Sequence, residues 1–106
     1  METYDVHFLQ EALDDLEEIV LYIANDSHQT ALRMHTEIIE KANDLSVFPK
    51  RGRLIPDKKI AATGYRMLSI KPYIAFYRIV GHNVFIYRIL YGATNYPLLY
   101  EKMRSS

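Results

Sequence analysis

The sequence predicts an α+β fold in which an antiparallel helical hairpin packs on a three- to four-stranded antiparallel sheet. Three observations carry that prediction. From Gly64 to Tyr100 the chain holds three runs rich in branched and aromatic residues: Tyr65–Lys71, Tyr73–Val80 and Val84–Tyr91. Pro72 parts the first from the second and Gly81-His82-Asn83 parts the second from the third, breaks short enough for hairpins. Ahead of this meander, two stretches carry apolar residues at three- and four-residue steps, the mark of amphipathic helices. The third observation is charge. Residues 1–48 carry 11 Asp/Glu against 2 Lys/Arg, and residues 49–106 carry 2 against 11. An acidic hairpin thus precedes a basic sheet, within a chain whose net charge is zero.

The elements follow in order. Tyr4–Leu9 alternates Tyr4, Val6 and Phe8 with Asp5 and His7, which reads as a short strand. The first helix spans about Gln10–Ala24, with Leu13, Leu16, Ile19, Val20 and Ile23 as its apolar stripe. Its carboxylates sit mostly near the N-terminus, where the helix dipole favours them. Asn25-Asp26-Ser27 ends that helix, and Asp26 or Ser27 caps the next. The second helix spans about His28–Val47, with Ala31, Met34, Ile38, Ala42 and Leu45 on one face. So short a link makes the helices antiparallel. Phe48–Thr63 reads as a basic loop along the sheet edge, with a short strand near Leu54-Ile55. After the meander, Gly92–Asn95 turns the chain, and Pro97 suits the first position of a short C-terminal helix.

At 106 residues the chain is expected to form one domain, residues 1–106, with a core that needs no staples. It has no cysteine, which excludes disulfides and thiolate chemistry. The start, METYDVHFLQEALDD, lacks the basic and apolar regions of a signal peptide, and no run approaches membrane-spanning length. A cytoplasmic protein is expected. His7, His28, His35 and His82 form no metal-ligand pattern, and no Gly-rich phosphate loop is present. No metal and no cofactor are expected.

What remains is a basic, tyrosine-rich sheet. Arginine interleaved with tyrosine suits a surface that holds phosphates and stacks bases, and it equally suits a sheet whose tyrosines half-bury under helices. Arg88 sits among apolar neighbours and is expected to reach a carboxylate of the first helix, such as Asp14 or Glu17. Arg51, Arg53, Lys58, Lys59, Arg66 and Lys71 are close in sequence, with Asp57 the one acid among them. They are expected to form an exposed patch that meets an anionic partner.

The acidic hairpin, the Pro-x-Arg-Gly-Arg segment at Pro49–Arg53, FYRI at Phe76–Ile79 and RILYG at Arg88–Gly92 resemble the RelE/ParE superfamily of toxins from bacterial type II toxin–antitoxin modules. The resemblance covers about Tyr4 to Lys102. It implies a β-α-α-β-β-β fold, a cognate antitoxin as partner, and either DNA gyrase or the ribosome and its mRNA as target. RelE-type members cut mRNA on the ribosome without metal, whereas ParE-type members inhibit gyrase. Carried over by position, Ile74 and Thr94 stand where RelE-type toxins hold arginines, while Arg78 and Arg88 match arginines common in ParE-like sequences. The match therefore implies a ParE-like toxin, with no enzymatic activity expected. Were the chain a ribonuclease, the candidates are Arg66, Arg78, Tyr91 and Tyr100. Antitoxin or target binding falls to Arg51, Arg53, Arg66, Lys71, Tyr96, Leu98 and Leu99. A non-toxic module that keeps only the partner surface is the remaining alternative.

Overall fold

The computed structural model describes residues 3–92 and 100–101. Their order is β1 (Asp5–Phe8), α1 (Gln10–Ala24), α2 (His28–Asn43), a 3₁₀ turn at Asp44–Ser46, β2 (Arg53–Leu54), α3 (Lys58–Ala61), β3 (Arg66–Ile70), β4 (Tyr73–Val80) and β5 (Asn83–Tyr91). The strands form one sheet in the order β1-β5-β4-β3-β2. Strands β2 to β5 pair antiparallel, and β1 pairs parallel to β5, Asp5 opposite Asn83 and Phe8 opposite Ile86.

The α+β class and the hairpin-on-sheet arrangement hold, with two differences from the expected sheet. It has five strands rather than three or four, and one edge is parallel. Both differences come from edge strands of four and two residues, too short for their pairing to be legible in a pattern. In the basic segment, Asp57 accepts from the amides of Lys59 and Ile60 and so caps the four-residue α3. That helix was not anticipated, because one turn shows no periodicity.

Local chemistry sets the hairpins. The β4–β5 connection is Gly81-His82, with Val80 paired to Asn83 and Gly81 at φ +62°. Glycine at the first loop position with no positive φ after it suits the right-handed twist of the flanking strands. At the helical hairpin, Ser27 Oγ accepts from the Thr30 amide at 3.2 Å and starts α2. Helix α2 ends four residues before the expected Val47 and tightens into the 3₁₀ turn, which keeps Leu45 buried.

The sheet packs on both faces. Against the helices lie Leu68, Ile70, Ala75, Tyr77, Val84, Ile86 and Ile89, meeting Ala12 and Leu16 of α1 and Ile38 and Ala42 of α2. The opposite face holds a smaller cluster of Ile55, Ile60, Met67 and Phe76, bordered by Tyr65, Ile74, Tyr87, Leu90 and Tyr100. Leu13, expected on the packed stripe of α1, is 42% exposed. The buried line of that helix runs instead through Ala12, Asp15 and Leu16.

Candidate functional site

Strand β1 ends at Phe8, and Leu9 donates its amide to Ile86 before the chain turns into α1. Beyond Ile86, therefore, β5 has α1 beside it and no further strand among the described residues. A bulge sits at this point: Phe76 opposes Arg88 and Tyr77 opposes Ile86, which leaves Tyr87 without a partner residue across the ladder. The bulge aims Arg88 at α1. Its Nε donates to Asp15 Oδ2 at 2.6 Å and its Nη2 donates to Asp15 Oδ1 at 2.9 Å, a two-pronged pair. The Ile89 amide also donates to Asp15 Oδ2, at 2.9 Å. One buried carboxylate thus serves both a guanidinium and a strand amide beside the bulge. The pair raises the Arg88 pKa above its ordinary value, chiefly through the bond to Asp15 and against the effect of burial.

The partner of Arg88 on the first helix is Asp15, not Asp14 or Glu17. The signal was present in the sequence. Ala12, Leu16 and Ile19 bracket position 15 on the packed stripe, while Asp14 and Glu17 point to solvent.

A second fixed point joins the basic segment to the sheet. Tyr77 Oη donates to the Pro49 carbonyl at 2.7 Å and accepts from the Gly52 amide at 2.9 Å. Arg66 Nη1 donates to the Gly52 carbonyl at 2.8 Å. Gly52 is pressed so close that a Cβ there would stand 2.6 Å from Tyr77 Cε1 and 2.7 Å from the Met67 carbonyl. This clamp was not read from the sequence, because it joins residues 25 apart through backbone groups. Arg66 is consequently half-buried and partly committed to the loop. Arg51 is exposed, lies 5.0 Å from the Phe48 ring centroid, and pairs with Asp44 at 3.3 Å. Arg53 and Lys71 are exposed as well.

The four ribonuclease candidates do not converge. Arg66 lies opposite Tyr77 on the helix-covered side, held at Gly52. Tyr91 is 72% exposed and stands edge-on to Tyr73 at the far end of β5. On the other face, the Arg78 guanidinium lies 5.3 Å from the Tyr65 ring centroid. Tyr65 in turn meets Tyr87 at 5.0 Å and Tyr100 at 5.8 Å, both edge-on. Burial pushes the Tyr65 hydroxyl pKa up, Tyr87 adds to this, and Arg78 opposes it. Ile74, at the position of an expected RelE-type arginine, packs against the second cluster. Thr94, Tyr96, Leu98 and Leu99 lie outside the described residues. Among the described residues no group of three or more His, Cys, Asp or Glu could hold a metal, and no helix is long and apolar enough to cross a membrane.

The family of the "ParE toxin of type II toxin-antitoxin system, parDE" matches residues 6–96. The chain belongs to this ParE toxin family. The curated relative Toxin ParE3 of Caulobacter vibrioides is 43% identical over 51 residues, which is 48% of each chain. The match to that ParE protein thus spans about half its length. Among solved structures, the fold resembles a chain of the chromosomal ParDE system from P. aeruginosa, with a TM-score of 0.70, 23% identity and coverage of 86% of this chain and 98% of that one. It also resembles a chain of the RelBE2 toxin–antitoxin complex from Mycobacterium tuberculosis, with a TM-score of 0.64, 24% identity and coverage of 85% and 99%. These two likenesses, each below 25% identity, show the fold alone. The choice between the two mechanisms rests on the residues.

Proposed function

We propose that this ParE-family chain is the toxin of a type II toxin–antitoxin pair, that it acts by inhibiting DNA gyrase rather than by cutting mRNA, and that a cognate antitoxin neutralises it. The observation that carries the choice is the separation of the candidate catalytic groups. Arg66 and Tyr91 belong to the helix-covered side, while Arg78 and Tyr100 meet Tyr65 on the other. Cleavage by attack of a 2′-hydroxyl needs a proton acceptor and a cation around one phosphate, and loss of a single such stabilising donor costs a hundredfold or more in rate. With Ile74 apolar in that surface, the face of Arg78 lacks one arginine expected of a RelE-type site.

The exposed cations Arg51, Arg53, Lys58, Lys59 and Lys71 support an anionic contact with target or antitoxin, with Arg66 holding the loop that presents them. The test is to assay gyrase supercoiling and ribosome-dependent mRNA cleavage side by side with the purified chain. Inhibited supercoiling with intact mRNA is the expected result. Codon-positioned cuts abolished by Tyr100→Phe would overturn the reading, and a chain that leaves growth unchanged when induced alone would mark a non-toxic binding module.

A further inference from the structure

Two open surfaces serve neither the core nor the proposed activity. The first is a trough between the helices, where Leu13, Leu16, Val20 and Leu21 lie beside Glu17 of α1 and His35 of α2. Leu21 is 61% exposed and Leu13 42%. This trough is on the helix side of the sheet, whereas Tyr100 meets Tyr65 on the other side. The second surface is a hollow just past the 3₁₀ turn, formed by Val47, Phe48, Pro49, Lys50 and Arg51. Phe48 is 54% exposed there, with the Arg51 guanidinium 5.0 Å from its ring centroid. Clustered apolar side chains rimmed by charge mark a surface that meets another protein.

Charge makes the two surfaces complementary. Helix α1, QEALDDLEEIVLYIA, carries five carboxylates and no cation. Asp15 is taken by Arg88, and Glu11, Asp14, Glu17 and Glu18 stand exposed. The hollow carries Lys50 and Arg51, both exposed. Arg51 reaches Asp44 at 3.3 Å, but that pair joins two half-exposed groups and is weak enough for a denser acidic surface to displace.

The signs also select the occupant. Two troughs facing each other would bring carboxylates against carboxylates, and two hollows would bring cations against cations, so neither pairs with its own kind. The trough of one copy and the hollow of another match in charge, and each offers an exposed apolar side chain to cover. The chain carries no net charge, so copies approach one another without long-range repulsion.

We propose that this chain self-associates, with the Phe48 ring of one copy seated between Leu13 and Leu21 of another and its Lys50 and Arg51 facing Asp14 and Glu17. The contact joins two different surfaces, and every copy presents one of each. It covers part of the basic segment, so a second copy competes with the anionic partner proposed for those cations. The pairing itself needs only the purified chain and does not depend on the toxin reading.

The test is analytical ultracentrifugation of the purified chain over a concentration series, at low and at high salt. The average mass should rise with concentration, and high salt should weaken the association about tenfold, because exposed charges are screened. Two double reversals, Asp14→Lys with Glu17→Lys and Lys50→Glu with Arg51→Glu, should each weaken it about tenfold or more. Phe48→Ser should do the same by removing the apolar anchor. All of these side chains are exposed, so melting temperatures near the parent's will show that lost association is not lost fold. Mixing the two charge-reversed proteins should restore association to about the parent's strength, since the same contact then forms with its signs exchanged. A chain that stays monomeric throughout the series overturns the proposal. So does an association that both reversals leave intact, or one that mixing fails to restore.

Discussion

The two faces of the sheet each hold an arginine from the middle of a strand, and the two arginines live differently. Arg88, on β5, is turned by a bulge into α1, where Asp15 receives it with two hydrogen bonds and both side chains are largely buried. Arg78, on β4, lies half-buried over the ring of Tyr65. The first arrangement is built by the fold for the fold: a charge taken out of water is answered by an opposite charge and by a strand amide. The second leaves a cation on a tyrosine-rich face that no helix of the hairpin covers. Matching family motifs treats the two positions alike, since FYRI and RILYG both carry an arginine followed by an isoleucine. Only the packing separates a structural arginine from a surface one.

That contrast is sharpest if each arginine is removed. Arg88→Ala leaves Asp15 as a buried carboxylate facing only the Ile89 amide, and stability is expected to fall by about 3–5 kcal/mol in chemical denaturation. The double change Arg88→Met with Asp15→Leu should recover most of the loss, because it removes both charges and refills the space. Arg78→Ala, with no carboxylate left behind, should cost about 1 kcal/mol or less. Equal losses at the two positions would break the distinction.

Next in size comes the clamp on the basic segment. A methyl group at position 52 would run into the Tyr77 ring and the Met67 carbonyl, so Gly52→Ala should cost about 1–3 kcal/mol. Tyr77→Phe keeps the ring but leaves the Gly52 amide and the Pro49 carbonyl without their partner, at a cost of about 1–2 kcal/mol. The two losses should not add, since both act on one contact. Thermal melts of the two single variants and the double variant measure this.

The long elements were legible in the sequence. Periodicity bounded α1 at Gln10–Ala24, and breakers at Pro72 and Gly81 marked the meander. What escaped were features made by partners far apart in the chain. The parallel β1–β5 edge joins residues 5–8 to residues 83–86, and no local pattern encodes that pairing. The Tyr77–Gly52 contact is likewise invisible, because a buried tyrosine in a strand reads as packing until its hydroxyl is followed to a carbonyl. Asp15 lies beside the expected partner Asp14, but Asp14 and Glu17 are exposed, whereas position 15 shares the buried line of the helix with Ala12 and Leu16. The site is less legible than the fold for the same reason: strand alternation and the bulge in β5 send its side chains to different faces of the sheet.

The tyrosines offer a test by pH. Burial raises the Tyr77 pKa above the ordinary value of 10.0, outweighing the Gly52 bond and Arg66, which lower it. Burial raises Tyr73 too, with Tyr91 adding to the effect. A group whose pKa is higher in the folded chain than in the unfolded one contributes stability that is intact below the unfolded value. That contribution is lost as pH rises through the folded value. Stability should therefore hold up to about pH 10 and fall above it. Tyr77→Phe should start lower and decline less steeply over that range. Urea midpoints from pH 8 to 11 check the sign, and a parent and variant that decline in parallel would place the Tyr77 hydroxyl outside the effect.

The smallest expected effect is at Arg51, and it separates surface chemistry from structure most cleanly. Its pair with Asp44 spans 3.3 Å between side chains that are each about half exposed, 48% and 55%. Water and salt screen such a pair, and holding two mobile side chains together costs entropy, so exposed pairs contribute about 0–1 kcal/mol. The contact with the Phe48 ring adds little at so open a position. Arg51→Ala should thus shift stability by no more than about 0.5 kcal/mol. Reversing both Arg51 and Arg53 to glutamate should leave the melting temperature near the parent's, since neither is buried. It removes two positive charges and adds two negative ones on the face proposed to meet an anionic partner. Affinity for that partner and growth arrest should both fall, and the parent's binding should weaken with rising salt, because exposed charges are screened beyond about 8 Å at physiological ionic strength. A double variant that binds and arrests growth like the parent would reduce this face to a solvated loop.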